Sequence, residues 1–358
     1  MKSLQRFFRK PIDLDAPAVA LDPFPHYETL RRSGSVQFLE NHDAWIVLGH
    51  DEVQTAFSLP EVFSNRPYAD VDAVLLAADP PEHTAIRRIV SRHFARDVIE
   101  ELEAFAAREA ASLLKPRLDI VDDYARPLSE AVAARLLGFD LDAVEKIRAA
   151  HDFEQSVRTL DELAERTEMY RRLRDDGLAD SQARSLVRLF WLASTKTTER
   201  VIAECILALL QHDGVRRAIE RDPALVGPFI EEVMRLHQPE PMLRRVTTRA
   251  AQLGTATIPA GAMVYLCLAA ANRDPAKYEA PAELRLGRTL PARHLTFGYG
   301  IHHCIGATLG RAVVTAALRT LLAAVPRFRA AQPLEQVTYC ATMTAHFIER
   351  LLVEAAPA

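Results

Sequence analysis

From Pro81 to Leu210, apolar residues recur at three- and four-residue spacing through one segment after another. The stretches 100–114, 128–137, 160–173 and 185–211 all carry this period, which belongs to helices that bury one face. A chain with so many one-sided helices has to pack them against each other, so the dominant layer is helix on helix. Asp222-Pro223 precedes a further amphipathic helix over 224–236, and another covers 305–325. Strands interrupt this pattern in two places. The run 44–48, ended by Gly49, reads as one, and 244–268 reads as several around the turn Ile258-Pro259-Ala260-Gly261. A Pro-rich irregular stretch over 274–297 is long enough to suggest a functional loop, and a short β-like tail closes the chain. No repeat or linker divides residues 1–358, so the expected architecture is a single domain, mainly α with a small β subdomain.

Composition narrows the function classes. With 49 % hydrophobic and 26 % charged residues the chain resembles an ordinary globular protein, and 13 Gly with 21 Pro exclude low complexity. A net charge of −4 without long runs of one sign gives no footprint for nucleic acid. Cys205, Cys267, Cys304 and Cys340 form neither a Cys-x-x-Cys pair nor a disulfide framework, which fits a reducing compartment. The basic start lacks the apolar stretch of a signal peptide, and the run 201–210 is half a membrane span containing Glu204. The expectation is a soluble cytoplasmic protein with no membrane partner.

The residues that carry chemistry lie near the C-terminus, in Phe297-Gly298-Tyr299-Gly300-Ile301-His302-His303-Cys304-Ile305-Gly306. Gly298 and Gly300 in a tight turn allow the backbone to approach a flat ligand. Cys304 stands at the start of a helix, where exposed N–H groups favour a thiolate. A thiolate so held suits an axial iron ligand, because it donates electron density that promotes O–O cleavage.

This loop resembles the haem-binding segment of the cytochromes P450, Phe-Gly-x-Gly-x-His-x-Cys-x-Gly, at every specified position. Glu232-Val233-Met234-Arg235, Ala271-Asn272-Arg273-Asp274-Pro275 and Asp79-Pro80-Pro81-Glu82-His83-Thr84 resemble further family segments in the right order. The resemblance spans residues 21–353 and implies a mainly α cytochrome P450 fold. It implies haem b between the central helix and the loop, Cys304 on the iron, and His83, Arg87, Arg245 and His302 on the haem propionates. Phe297, Gly298 and Gly306 would pack against the cofactor. It also gives Glu232 and Arg235 a place in a structural ion network on the proximal side.

The sequence departs from the family in three places. The central helix carries Ala193-Ser194-Thr195-Lys196-Thr197-Thr198 where the family has Ala-Gly-x-acid-Thr-Thr. Thr197 is kept as a catalytic candidate, but Lys196 replaces the proton-relaying acid, and an ammonium is a donor with no acceptor. Pointing into the distal pocket, Lys196 would anchor an anionic substrate; pointing outward, it would pair with Glu199 or the backbone. In the proximal network, Pro281-Ala282-Glu283-Leu284 has a Glu where the family has an Arg, which Arg285 or Arg288 would have to replace. Only one clear helix, 160–173, precedes the central helix, and the loop over 66–78 is brief. Part of the lid is therefore expected to be missing and the pocket open.

The leading reading is a monooxygenase acting on a small organic molecule, anionic if Lys196 points into the pocket, with a ferredoxin-type redox partner. Two others stay open: a peroxide-using or non-oxygenating haem-thiolate enzyme, and a non-catalytic P450-like module that recruits a partner, a carrier protein being one option for covering the pocket.

Overall fold

The structure is a computed structural model and describes residues 12–71, 74–288, 293–325 and 327–355. Its axis is the helix Asp180–Gln211, 32 residues long. Gln182 Oε1 accepts the Ala179 N–H at 3.0 Å and so closes the first turn. The C-terminal part of this helix, from Val201 to Leu209, is buried on all sides, as a stretch apolar at every position but Glu204 requires. There it packs with Arg96–Ser112, Val226–Leu236 and Ala307–Ala324 around Ile206, Phe229 and Leu318. Ala307–Ala324 is apolar and long enough to span a bilayer by composition, yet its apolar face is buried in this core.

The N-terminal half of the central helix meets a second core. Three helices, Leu141–Arg148, Phe153–Ala164 and Glu168–Asp175, stand where the sequence pattern predicts one over 160–173. The difference comes from capping. Asp140, Asp152 and Thr167 each accept a backbone N–H from their own helix, at 2.8, 2.7 and 3.1 Å. Thr167 therefore restarts a helix in the middle of what periodicity reads as continuous. Leu160, Leu163, Met169 and Leu173 pack on Leu186, Val187, Phe190 and Trp191.

The β structure is sparse. One sheet runs in the order Val36–Leu39, Ala44–Val47, Met263–Cys267, Met242–Thr247, Phe63–Ser64. The hairpin from Met242–Thr247 back to Met263–Cys267 pairs Arg245 with Val264. The period of two then sends Leu243 and Arg245 to one face of the sheet. Residues 274–288 contain neither helix nor strand, as the sequence predicts for this part of the loop.

That loop is fixed by buried charge. Glu232 and Arg235 are both 0 % exposed and share two hydrogen bonds, of 2.8 and 3.0 Å. Arg235 also donates to the carbonyls of Asn272, Pro281 and Glu283, at 2.9, 2.7 and 3.0 Å. Arg288 supplies the cation absent at Glu283, donating from Nε to Glu232 Oε2 at 2.8 Å. The open choice between Arg285 and Arg288 is settled in favour of Arg288. Arg285 contributes only its backbone N–H, at 3.1 Å.

Candidate active site

The Cys loop sits between the end of the irregular stretch and the helix Ala307–Ala324. Gly298 and Gly300 both adopt positive φ, +69° and +70°. At Gly300 a Cβ would lie 2.7 Å from the Phe57 carbonyl oxygen, so both conformation and space require glycine. At Gly298 and Gly306 nothing closer than 3.7 Å would meet a Cβ, so steric exclusion operates at Gly300 instead. The Cys304 N–H donates to the Phe297 carbonyl at 2.8 Å, folding the loop back on itself.

Cys304 faces a cavity of about 300 Å³. Its surface opens onto that cavity, not onto packed protein. The thiol is desolvated all the same, and this pushes its pKa up. The Gly306 N–H and the charges of Arg87 and Arg311 pull the other way and lose. The helix start alone therefore does not make the thiolate expected from sequence; a cation in front of the sulfur would. Phe297, Gly298 and Gly306 line the same cavity. Across it stand Ala193, Ser194, Thr197 and Thr198 of the central helix, with Leu136, Phe190 and Leu243 on the flanks.

Beside the cavity the structure gathers basic groups that lack acid partners. His83 is buried with neither ring nitrogen hydrogen-bonded, and the Nε2 of His302 is likewise unpaired. The two rings are 4.2 Å apart. Burial, with the nearby charges of His83, Arg245 and Arg87, pulls His302 down to about 3. Arg245 is buried, donates to its neighbour's carbonyl at 2.7 Å, and is held down to about 10 by desolvation. Arg87 donates from Nη2 to the His303 carbonyl at 2.6 Å, with other donors of its fork still available. Among the described residues neither Arg87 nor Arg245 forms a salt bridge with a carboxylate. Orphaned buried donors of this kind are costly unless an anion arrives. A planar ligand with two carboxylates at its edge, lying over Cys304, would satisfy them, so the residues fit haem.

The distal side corrects one expectation. Lys196 does not line the cavity; its side chain is 52 % exposed and its Nζ lies 3.4 Å from Glu199 Oε2. The buried Glu199 carboxylate also takes Arg126 at 3.2 Å, and this two-cation attraction turns the lysine outward. Thr197 does line the cavity, its hydroxyl donating to the Ala193 carbonyl at 2.6 Å. Ser194, in place of the family glycine, donates to the Phe190 carbonyl at 2.6 Å, and the helix runs on unbroken. Among the described residues, none from the three helices over 141–175 lines the cavity.

Sequence reasoning missed a brace behind the loop. Arg311 lies 4.2 Å over the Phe297 ring and donates two hydrogen bonds, of 2.7 and 2.9 Å, to Glu231. His294 adds a third contact to Glu231, at 3.2 Å. Arg311 follows Cys304 by two helical turns, which is a readable signal, but its partner lies 80 residues away. Burial alone would raise the Glu231 pKa, but the hydrogen bonds from His294 and Arg311, and their charges, outweigh it and hold the carboxyl at about 2. A carboxylate lowered on folding stabilises the fold above its unfolded pKa, and that contribution fades as pH falls toward the folded one. Glu231→Gln is therefore expected to cost ~1.5–3 kcal/mol at neutral pH, as for hydrogen bonds to charged groups. The gap between parent and variant in thermal unfolding should close as pH falls from 4.5 toward 2. A gap that persists at the acid end would contradict this account.

A cysteine set in a glycine turn, an apolar cavity before it and unpaired cations at one edge define a haem-thiolate protein. The sequence pattern of the cytochrome P450 family matches residues 224–337. Cytochrome P450 109 of Bacillus spizizenii is 30 % identical over 345 residues, covering 84 % of this chain and 84 % of that protein. Cytochrome P450 monooxygenase PikC of Streptomyces venezuelae is 30 % identical over 353 residues, covering 86 % and 85 %. The solved structure of the myxobacterial cytochrome P450 CYP267B1, in complex with myristic acid, matches with a TM-score of 0.85 at 28 % identity, covering 96 % and 99 %. This chain belongs to the cytochrome P450 family, and its cofactor is haem.

Proposed function

We propose that the protein is a haem-thiolate monooxygenase for an apolar organic substrate. The observation that carries the reading is the cavity itself, with Cys304 on one wall and Thr197 on the opposing helix. When bound, haem supplies the iron at which dioxygen is activated for insertion into a C–H bond. Cys304 would hold that iron, and His83, Arg87, Arg245 and His302 would hold the propionates through charge-assisted hydrogen bonds. Leu136, Phe190, Val201 and Leu243 would orient the substrate and exclude water from the reacting face. The Thr197 hydroxyl, at rest on the Ala193 carbonyl, can turn its proton into the cavity. Electrons would come from a ferredoxin-type partner. The substrate would be free or presented on a carrier protein.

An anionic substrate loses the residue on which it rested, since Lys196 lies outside. Lys196→Met is expected to leave ligand affinity and stability within ~0.5 kcal/mol, as for exposed ion pairs. A tenfold loss of affinity in a ligand titration would return the lysine to the pocket. The peroxide-driven reading draws on a different observation: among the described residues, the central helix presents hydroxyls but no carboxylate to the cavity. Turnover assays separate the two. Oxygen- and reductase-dependent product supports the monooxygenase; product only with peroxide overturns it.

A further inference from the structure

Among the described residues, the cavity wall carries a single carboxylate. Among the described lining residues, Glu240 is the one acid, placed between Pro239 and Pro241 where the chain leaves the helix Val226–Leu236 and enters the sheet. Of its side chain 46 % is open. Glu240 lines the cavity, and desolvation raises its pKa against the opposing charge of Arg200.

Arg200 fixes the position of this carboxylate. Its Nη1 donates to Glu240 Oε1 at 2.8 Å and to the Pro239 carbonyl at 2.7 Å, and its guanidinium stacks 4.2 Å over Phe347. Arg200 follows Thr197 by three residues on the central helix, so the two side chains lie one turn apart on one face. Glu240 is thus tied to the same helix that carries Thr197. No hydrogen bond to its Oε2 occurs among the described residues. On a wall that is otherwise mostly apolar, an oxygen with no protein donor is the point at which a donor on a guest can be held. A guest with a hydroxyl group supplies that donor in a charge-assisted hydrogen bond. A guest carboxylate placed against Glu240 meets like charge instead, and Arg200, the cation bonded there, is already engaged by Glu240.

We propose that Glu240, held in place by Arg200, is a specificity-determining acceptor that selects apolar substrates bearing a hydroxyl group and disfavours carboxylates. This rests on the haem-thiolate reading of the cavity and adds to it the substrate's polar end. Arg200 acts as a positioning residue.

The test uses the haem-loaded protein titrated with 1-decanol, decyl methyl ether and decanoate at neutral pH. Binding is followed by haem absorbance and by calorimetry. The alcohol should bind about 10-fold more tightly than either of the other two, the expected scale for one charge-assisted hydrogen bond. Glu240→Leu should bring all three ligands within about 2-fold of one another. Glu240→Gln, which keeps the shape and an acceptor, should retain part of the alcohol preference while relaxing the discrimination against decanoate, and it carries the test if the leucine variant does not fold. Equal binding of alcohol and ether by the parent, preference for decanoate, or no binding of any of the three overturns the inference, as does an alcohol preference that survives in Glu240→Leu. A thiolate-type carbonyl spectrum in the same preparation keeps the underlying reading intact when the selectivity fails; its absence removes that reading first.

Discussion

Cys304→Ser is expected to abolish the red-shifted carbonyl band of the reduced, carbon monoxide-treated protein, while the fold survives. The expectation follows from where the sulfur stands. Cys304 opens onto the cavity and belongs to no packed core, so exchanging sulfur for oxygen removes little buried apolar surface. The loop around it is shaped by other residues. Gly300 passes against the Phe57 carbonyl, the Cys304 N–H is bonded to Phe297, and Phe297 is backed by Arg311 and Glu231. What the variant would lose, on the proposed assignment, is the ligand that donates electron density to iron. Thermal unfolding of the haem-free protein should shift by no more than ~1 kcal/mol in stability, as for a surface-type substitution. An unchanged carbonyl band would show that Cys304 is not the ligand, and collapse of the fold would show that the loop depends on the sulfur itself.

Glu232→Gln is expected to cause a larger loss of stability than Cys304→Ser, Glu231→Gln or Lys196→Met. The carboxylate is wholly enclosed and accepts from Arg235, from Arg288 and from the Arg285 backbone. Its burial works against the charged form, and these hydrogen bonds hold its pKa below the ordinary value regardless. Removing the negative charge leaves two guanidinium groups facing each other in the interior, a situation that costs ~3–5 kcal/mol. The consequence reaches the site, because Arg235 and Arg288 together bond five different points on the loop backbone between Asn272 and Glu283. Asn272 in turn holds Leu295 and Thr296, the two residues before Phe297. Urea unfolding should show the destabilisation, and haem should be lost faster from the variant. A change below ~1 kcal/mol would mean that the network is solvated, contrary to its full burial. Arg235→Lys should recover only part of the parent stability, since an ammonium cannot reproduce the fork that reaches Glu232 and three carbonyls.

The ways in which the sequence succeeded and failed have physical causes. Apolar periodicity located the central helix and the helix after Cys304 because both bury long continuous faces. It merged two helices over 160–173 because the break there is set by a cap, Thr167, which leaves the apolar period intact. The Cys loop was legible because glycine at positive φ and a cysteine at fixed spacing are local demands, met within ten residues. Glu240 was not, because nothing in its flanking residues says that it faces a cavity; only the packing of sheet against central helix places it there.

The sequence by itself determined the mainly helical class and the family through its loop motif, and it named the candidates for holding haem, since each is a short-range pattern with a chemical reason. Tertiary structure alone decided which way the charges point. Lys196 turned outward because the buried Glu199, already drawn to Arg126, offers it a partner. Arg288, not Arg285, completed the proximal network because its side chain reaches Glu232 from 56 residues away. A charged side chain settles where its opposite lies in space, and a linear sequence does not record that distance.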